Sequence, residues 1–157
     1  MTQLRLLAAL LLLGAAAAHA DPCQITIASN DRMQYSAHEI AVPAACAEVE
    51  VTLKHEGQLP AKVMGHDWVL ARDSDVSGVV TAGLAAGAAR GFLPEHDARI
   101  IAATGVVGGG ESSSVKFSTA ALSEGGHYAF FCTSPGHAAM MRGRFLFGGG
   151  TRVAQAR

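Results

Sequence analysis

The chain has 157 residues, half of them hydrophobic, and a formal net charge of −1 from 12 Lys and Arg and 13 Asp and Glu. It contains no basic stripe that would neutralise phosphates, so we expect neither nucleic acid nor an anionic membrane surface as a partner. Behind a short leader, the length is that of one domain with a core of its own.

The leader occupies residues 1–20. Arg5 supplies a positive start, an apolar run follows over residues 6–18, and the tripeptide AHA ends the leader with the small-x-small pattern of a signal peptidase site. The run is short for a bilayer span and leads directly to this site, which favours a cleaved signal peptide over a membrane anchor. We therefore expect an exported protein that begins at Asp21 and has no stable membrane association.

Short apolar runs with strand character follow along the chain. In the clearest one, Val49, Val51 and Leu53 alternate with polar residues, which is the period of a half-buried strand. The predicted strands are CQITIA, EVEVTLKH, HDWVLA, RIIAAT, SSVKFS, HYAFFC and RFLF. Turn residues separate them, and several short strands at this spacing indicate an all-β sandwich.

One stretch, residues 74–97, differs because it is rich in alanine and glycine. Its valines and Leu84 follow helical spacing after a capping Ser74 or Asp75, so the pattern predicts one short helical insertion that ends near Gly87 or Gly91. Residues 148–157 lack a strand pattern, and we expect them to form a flexible tail.

The three cysteines all lie beyond the leader. In an oxidising compartment an odd count leaves one cysteine outside any intramolecular disulfide. A bridge between Cys23 and Cys46 closes a loop of ordinary size and leaves Cys132 beside a histidine and a methionine, where a thiolate has a use.

The segment CTSPGHAAMM places Cys132, His137 and Met141 at the spacing C-x4-H-x3-M. Thiolate and thioether are soft ligands, and together with imidazole they suit copper. A trigonal copper site takes one thiolate and two imidazoles with a weak axial methionine, so a second histidine has to come from elsewhere in the chain.

Five histidines outside the leader are candidates for that role. His66 stands at the start of an apolar strand, where it can point into a loop cluster. His127 opens the strand that leads to the cysteine, about 16 Å away if the strand is extended. His38 and His96 have polar neighbours typical of the surface, and His55 is consistent with a partly buried structural histidine.

Several segments are typical of one family: NDRMQ, LPAKVMGHDWVL, GVVTAGLAAG, SSVKF and YAFFCTSPGHAAMM. On these segments the sequence resembles the azurins, small blue-copper proteins of the cupredoxin family, along almost all of residues 21–147. The resemblance implies a cupredoxin-like Greek-key β-sandwich that holds one copper ion in a type 1 site. It implies His66, Cys132 and His137 as equatorial ligands, Met141 as the axial ligand and the Gly65 carbonyl as a weak contact opposite.

The resemblance also implies a Cys23–Cys46 disulfide, a buried Trp68 and a function. The protein would be no enzyme but a periplasmic shuttle of single electrons, with c-type cytochromes or periplasmic dehydrogenases and reductases as partners. Electrons would pass through the edge of His137, inside an apolar docking patch. The implied patch consists of Met33, Leu59, Val63, Met64, Leu84, Pro135, Gly136, Ala139 and Met140.

Three positions depart from the family pattern. Asp67 stands where azurins usually have asparagine, Ser134 where an aromatic residue is common, and Ala103 where many have a surface histidine. An ionised aspartate only accepts hydrogen bonds, and a serine removes apolar cover from the site. Negative charge and solvent access both favour Cu(II), so we expect a lower reduction potential than in a typical azurin.

Two other functions use the same residues. A copper carrier would share the ligands but release the ion readily, whereas one thiolate with two imidazoles is a retentive set. A copper oxidase or nitrite reductase would need further histidine clusters, and the sequence has no His-x-His pattern. The pattern therefore favours electron transfer, with copper carriage as the alternative.

Overall fold

The computed structural model describes residues 21–149. The expected signal peptide, residues 1–20, and residues 150–157 of the expected tail lie outside this range. The strands within it are β1 (Gln24–Asn30), β2 (Gln34–Tyr35), β3 (Glu39–Val42), β4 (Glu48–His55), β5 (Val69–Arg72), β6 (Ile100–Ala103), β7 (Ser112–Ser118), β8 (Tyr128–Phe131) and β9 (Arg142–Phe147). The helices are α1 (Ala61–Met64) and α2 (Val76–Ala86).

The strands form two sheets, one ordered β2-β1-β4-β7 and the other β3-β9-β8-β5-β6. Each sheet contains one parallel pair, β1 with β4 and β3 with β9, among antiparallel neighbours. The predicted all-β sandwich with a helical insertion is confirmed.

The core between the sheets is built around aromatic side chains. Trp68 is fully buried, and its ring lies 6.0 Å from that of Phe130 and 6.3 Å from those of Phe117 and Phe145. Phe117 belongs to one sheet and the two other phenylalanines to the second, so this cluster joins the layers. Burial of each such side chain contributes about 1.5–3 kcal/mol.

The helical insertion begins at Val76 and ends at Ala86. Gly87 follows with φ of 76°, a positive value that glycine adopts at little cost, and this explains the end of the helix. The single turn α1 was not predicted, nor were β2 and β3. Strand β2 has only two residues, and β3 buries three consecutive residues, so neither shows an alternating pattern.

A disulfide joins Cys23 and Cys46, which confirms the predicted pair, and Cys132 is free and buried. The two bonded residues precede the parallel strands β1 and β4 and hold their starts together. No helix among residues 21–149 has the length and apolar character to cross a membrane.

Candidate metal centre

Three donor side chains converge at one end of the sandwich. The Nδ1 atoms of His66 and His137 are 3.2 Å apart, and the Cys132 sulfur lies 3.9 Å from the first and 3.6 Å from the second. All three residues are buried. Separations of this size are those of donors that share one first-row ion at bond lengths of about 2.0–2.3 Å.

Two of these donors come from the connection between β8 and β9. Cys132 directly follows β8, and its backbone N–H donates to the carbonyl of Met141 at 3.1 Å. His137 sits in a 3-10 turn after Gly136, whose φ of 81° turns the chain. The His137 carbonyl accepts from the Met141 N–H at 2.7 Å. Backbone hydrogen bonds within the loop therefore hold Cys132, His137 and Met141 close together.

The third donor, His66, lies in the segment between α1 and β5. His66 is held by an isolated antiparallel bridge to Val107, with hydrogen bonds of 3.0 and 2.8 Å. Its Nε2 lies 2.9 Å from the carbonyl oxygen of Asn30, which only accepts. The Nε2 atom therefore carries the proton and Nδ1 presents its lone pair to the cluster, as in many metal-binding histidines.

A buried carboxylate ties the two ligand segments together. Asp67 is fully buried, and its carboxylate accepts from the Thr133 N–H at 2.7 Å and from the Thr133 hydroxyl. The Asp67 carbonyl also accepts from Tyr35. An acceptor-only side chain thus maintains this connection, because threonine supplies both donors. Burial raises the pKa of the Asp67 carboxyl.

Burial also shifts the pKa values of the three donors. It raises the pKa of the Cys132 thiol well above its usual range, and the nearby Asp67 adds to this effect. It lowers the pKa of His66 to about 4 and lowers that of His137. At neutral pH both imidazoles are therefore neutral and ready to bind a cation, whereas the thiol must lose a proton first.

Met141 is joined to Cys132 and His137 by backbone hydrogen bonds, and Gly65 is the residue before His66. The Met141 side chain is fully buried in the same core cluster as Cys132. Gly65 directly follows α1. A Cβ at this position would come within 2.4 Å of the Ala61 carbonyl oxygen, so the position requires glycine. The Ser134 hydroxyl donates to the Gly65 carbonyl at 2.7 Å.

Ser134, at which we expect less apolar cover than an aromatic residue gives, lies beside a groove. The residue is only 8% exposed, but it lines a mainly apolar groove of about 550 Å³. Phe92 and Val106 line this groove together with residues of α1 and of the 88–91 turn. Ser134 thus lines this groove, whereas none of the three donors does.

The residues of the expected docking patch come from several segments of the chain, and most of them are exposed. Leu59, Val63, Leu84 and Met140 are the large exposed hydrophobic residues among residues 21–149. Pro135, Gly136 and Ala139 are exposed on the donor loop, and Met33 and Met64 are half-buried. Leu84 projects from α2, a separate element.

Of the other candidate histidines, His38, His96 and His127 are exposed. His55 is fully buried, and its ring centroid lies 4.8 Å from that of His66. It therefore packs against a donor, a position that the strand pattern alone did not reveal. Asn30 was also missed, because it acts through its backbone carbonyl and leaves no side-chain signal.

One thiol, two imidazoles and a buried methionine at the end of a β-sandwich define a small copper protein. Residues 21–147 match the family model described as copper binding proteins, plastocyanin/azurin family. Azurin iso-2 from Methylomonas sp. strain J is 49% identical over 121 residues, which are 77% of this chain and 94% of that protein. Azurin from Pseudomonas aeruginosa is 46% identical over 142 residues, 89% and 96% of the two chains.

The fold comparison agrees with these matches. The solved structure of an azurin, iso-2 from Methylomonas sp. strain J, has a TM-score of 0.77 and 47% identity, and covers 80% of this chain and 97% of that one. The chain belongs to the plastocyanin/azurin family of copper-binding proteins. It is a blue-copper electron-transfer protein and not an enzyme, and its cofactor is one copper ion in a type 1 site.

Proposed function

We propose that His66, Cys132 and His137 bind the copper ion as equatorial ligands, with Met141 as a weak axial ligand and the Gly65 carbonyl on the opposite side. The observation that carries this proposal is the convergence of one sulfur and two Nδ1 atoms within 3.9 Å of each other in a buried site. Bound copper supplies a one-electron couple between Cu(I) and Cu(II). The chain keeps the donors in place through the loop hydrogen bonds and the His66–Asn30 contact.

His137 is the exit for the electron in this proposal. It is 9% exposed, whereas His66 and Cys132 are fully buried, so His137 is the most accessible of the three donors. The exposed apolar residues of the donor loop and of α1 belong to the docking patch named above, together with Met33, Leu59 and Leu84. A small apolar patch suits brief contacts with redox proteins, which bury little surface. We propose c-type cytochromes or periplasmic dehydrogenases and reductases as partners.

We also propose a role for each of three segments of the chain. Residues 1–20 act as a cleaved signal peptide that directs the protein to the periplasm, residues 21–147 form the copper domain, and residues 148–157 are a tail. The disulfide supports an oxidising compartment, because such bonds persist there and are rare in the cytosol.

The first experiment is a visible absorption spectrum of residues 21–157 after Cu(II) is added. We expect an intense blue band that disappears on reduction and returns on oxidation. Cys132→Ala and His66→Gln should lose it, and His96→Gln should keep it, because His96 is exposed and does not belong to the donor cluster. A colourless wild-type protein, or a blue Cys132→Ala protein, would refute the ligand assignment.

The alternative, a copper carrier, makes a different prediction for copper release. The donors are buried, and both histidines are neutral at pH 7, which favours retention of the ion. We expect Cu(I) to leave far more slowly than the protein exchanges electrons with a c-type cytochrome. Competition with a Cu(I) chelator, measured beside stopped-flow electron transfer, separates the two functions. Rapid release with slow electron exchange would favour the carrier.

A further inference from the structure

Ser134 makes a contact that the proposed copper ligation does not use. Its hydroxyl donates to the Gly65 carbonyl at 2.7 Å, a normal length for an O–H···O bond. Within residues 21–149, no other hydrogen bond in the structure engages that carbonyl oxygen. The bond joins the donor loop to the residue just before His66, across 69 positions of sequence.

This bond acts on the group that faces copper in the proposed site. A carbonyl oxygen directed at a cation stabilises the higher charge more, so its approach favours Cu(II) over Cu(I). The hydroxyl occupies one of the two lone pairs of the Gly65 oxygen and fixes its position. The positively polarised hydrogen of the hydroxyl offsets part of the negative potential of that oxygen, and this weakens the electrostatic interaction of the oxygen with the ion.

We infer that Ser134 is a positioning residue that restrains the Gly65 carbonyl and thereby raises the reduction potential of the site. The inference rests on the proposed role of Gly65 as a weak copper contact. It opposes the effect expected from lost apolar cover at this position. The potential of the protein then reflects a local hydrogen bond as well as charge and solvent access.

The groove beside Ser134 permits a matched pair of variants. It is about 550 Å³ in volume and reaches the side chain, so it can accept the additional methyl groups of threonine or valine. Ser134→Thr keeps the hydroxyl, and Ser134→Val has nearly the same shape without it. Ser134→Ala removes the hydroxyl without adding volume. Thr119→Val serves as a control, because Thr119 is a buried hydroxyl that donates to the Cys46 carbonyl at 2.7 Å, beside the disulfide.

The measurement is a redox titration of each copper-loaded protein, beside its electron paramagnetic resonance spectrum. Loss of one hydrogen bond should shift the Cu(II)/Cu(I) equilibrium about three- to tenfold toward Cu(II) in Ser134→Ala and Ser134→Val. A tenfold shift equals about 59 mV for a one-electron couple. Ser134→Thr should keep the wild-type potential, and Thr119→Val should leave it unchanged. Urea unfolding of the copper-free variants reports any purely structural effect.

Three outcomes would overturn the inference. An unchanged or raised potential in blue Ser134→Ala and Ser134→Val proteins would do so while leaving the ligand assignment intact. A potential in Ser134→Thr as low as in Ser134→Val would assign the effect to shape instead. Absence of a blue band in the wild-type protein would instead refute the ligand assignment, and the inference with it.

Discussion

Copper uptake should release a number of protons that reports the protonation state of the donors. Burial raises the pKa of the Cys132 thiol and lowers the pKa of His66 to about 4 and that of His137. At pH 7 the thiol is therefore protonated and His66 is neutral. Because copper binds the thiolate, we expect Cu(II) binding at pH 7 to release one proton from these three groups.

The number of protons released on Cu(II) binding at pH 5.5 tests the lowered pKa of His66 directly. An imidazole with an ordinary pKa of 6.5 is about 90% protonated at that pH, whereas one with a pKa near 4 is about 3% protonated. Two ordinary histidines would therefore add almost two protons to that of the thiol, for a total close to three. With His66 shifted, we expect the donors to release between one and two.

The assay adds Cu(II) to weakly buffered, copper-free protein and records the released protons with a pH indicator. Asp67→Asn is measured in parallel, because Asp67 is a buried carboxylic acid whose pKa is raised, and the difference between the two proteins assigns its proton. His96→Gln, which changes an exposed histidine, should give the wild-type count. In Asp67→Asn, release of about three protons at pH 5.5 would refute the lowered pKa of His66. Release of no proton at pH 7 would refute the raised pKa of the Cys132 thiol.

Other changes test other parts of the molecule. Asp67→Asn should raise the reduction potential at a pH where the carboxyl is ionised, because it removes a buried negative charge that favours Cu(II); a redox titration that shows no change or a decrease would contradict the charge argument. Met140→Lys should slow electron transfer to a c-type cytochrome several-fold in stopped-flow mixing without moving the potential, since Met140 is 53% exposed beside the donors. Replacement of Cys23 and Cys46 by alanine should lower the free energy of unfolding by about 3 kcal/mol in urea and leave the blue band intact, because the disulfide closes a loop of ordinary size.

The sequence patterns predicted the fold where alternation was strong. Strand β4 runs from Glu48 to His55 with alternating buried positions, as its sequence indicated. Strand β3 buries Ile40, Ala41 and Val42 in succession beside β9, and a pattern of period two cannot identify it. The turn α1 has four residues, none of them buried, so it leaves no helical periodicity to detect.

At the site, the donor loop was visible in the sequence because its spacing is local. The choice of His66 depended on the family resemblance, because Asn30 and Val107 hold it through backbone atoms that no side-chain pattern records. The effect of Ser134 was expected from its size alone. Its hydrogen bond to a carbonyl 69 positions earlier depends on tertiary structure and could not be predicted.

The location of the disulfide has a further consequence for the free cysteine. Cys23 and Cys46 precede β1 and β4, whereas the far ends of these strands, at Asn30 and His55, lie beside His66. At about 3.3 Å per residue, the bonded sulfurs are therefore on the order of 20 Å from the donor end. Thiol–disulfide exchange requires a thiolate to attack a sulfur directly. In the folded chain the Cys132 thiolate is too far away to scramble the bond, so correct pairing is preserved once folding has separated the three sulfurs.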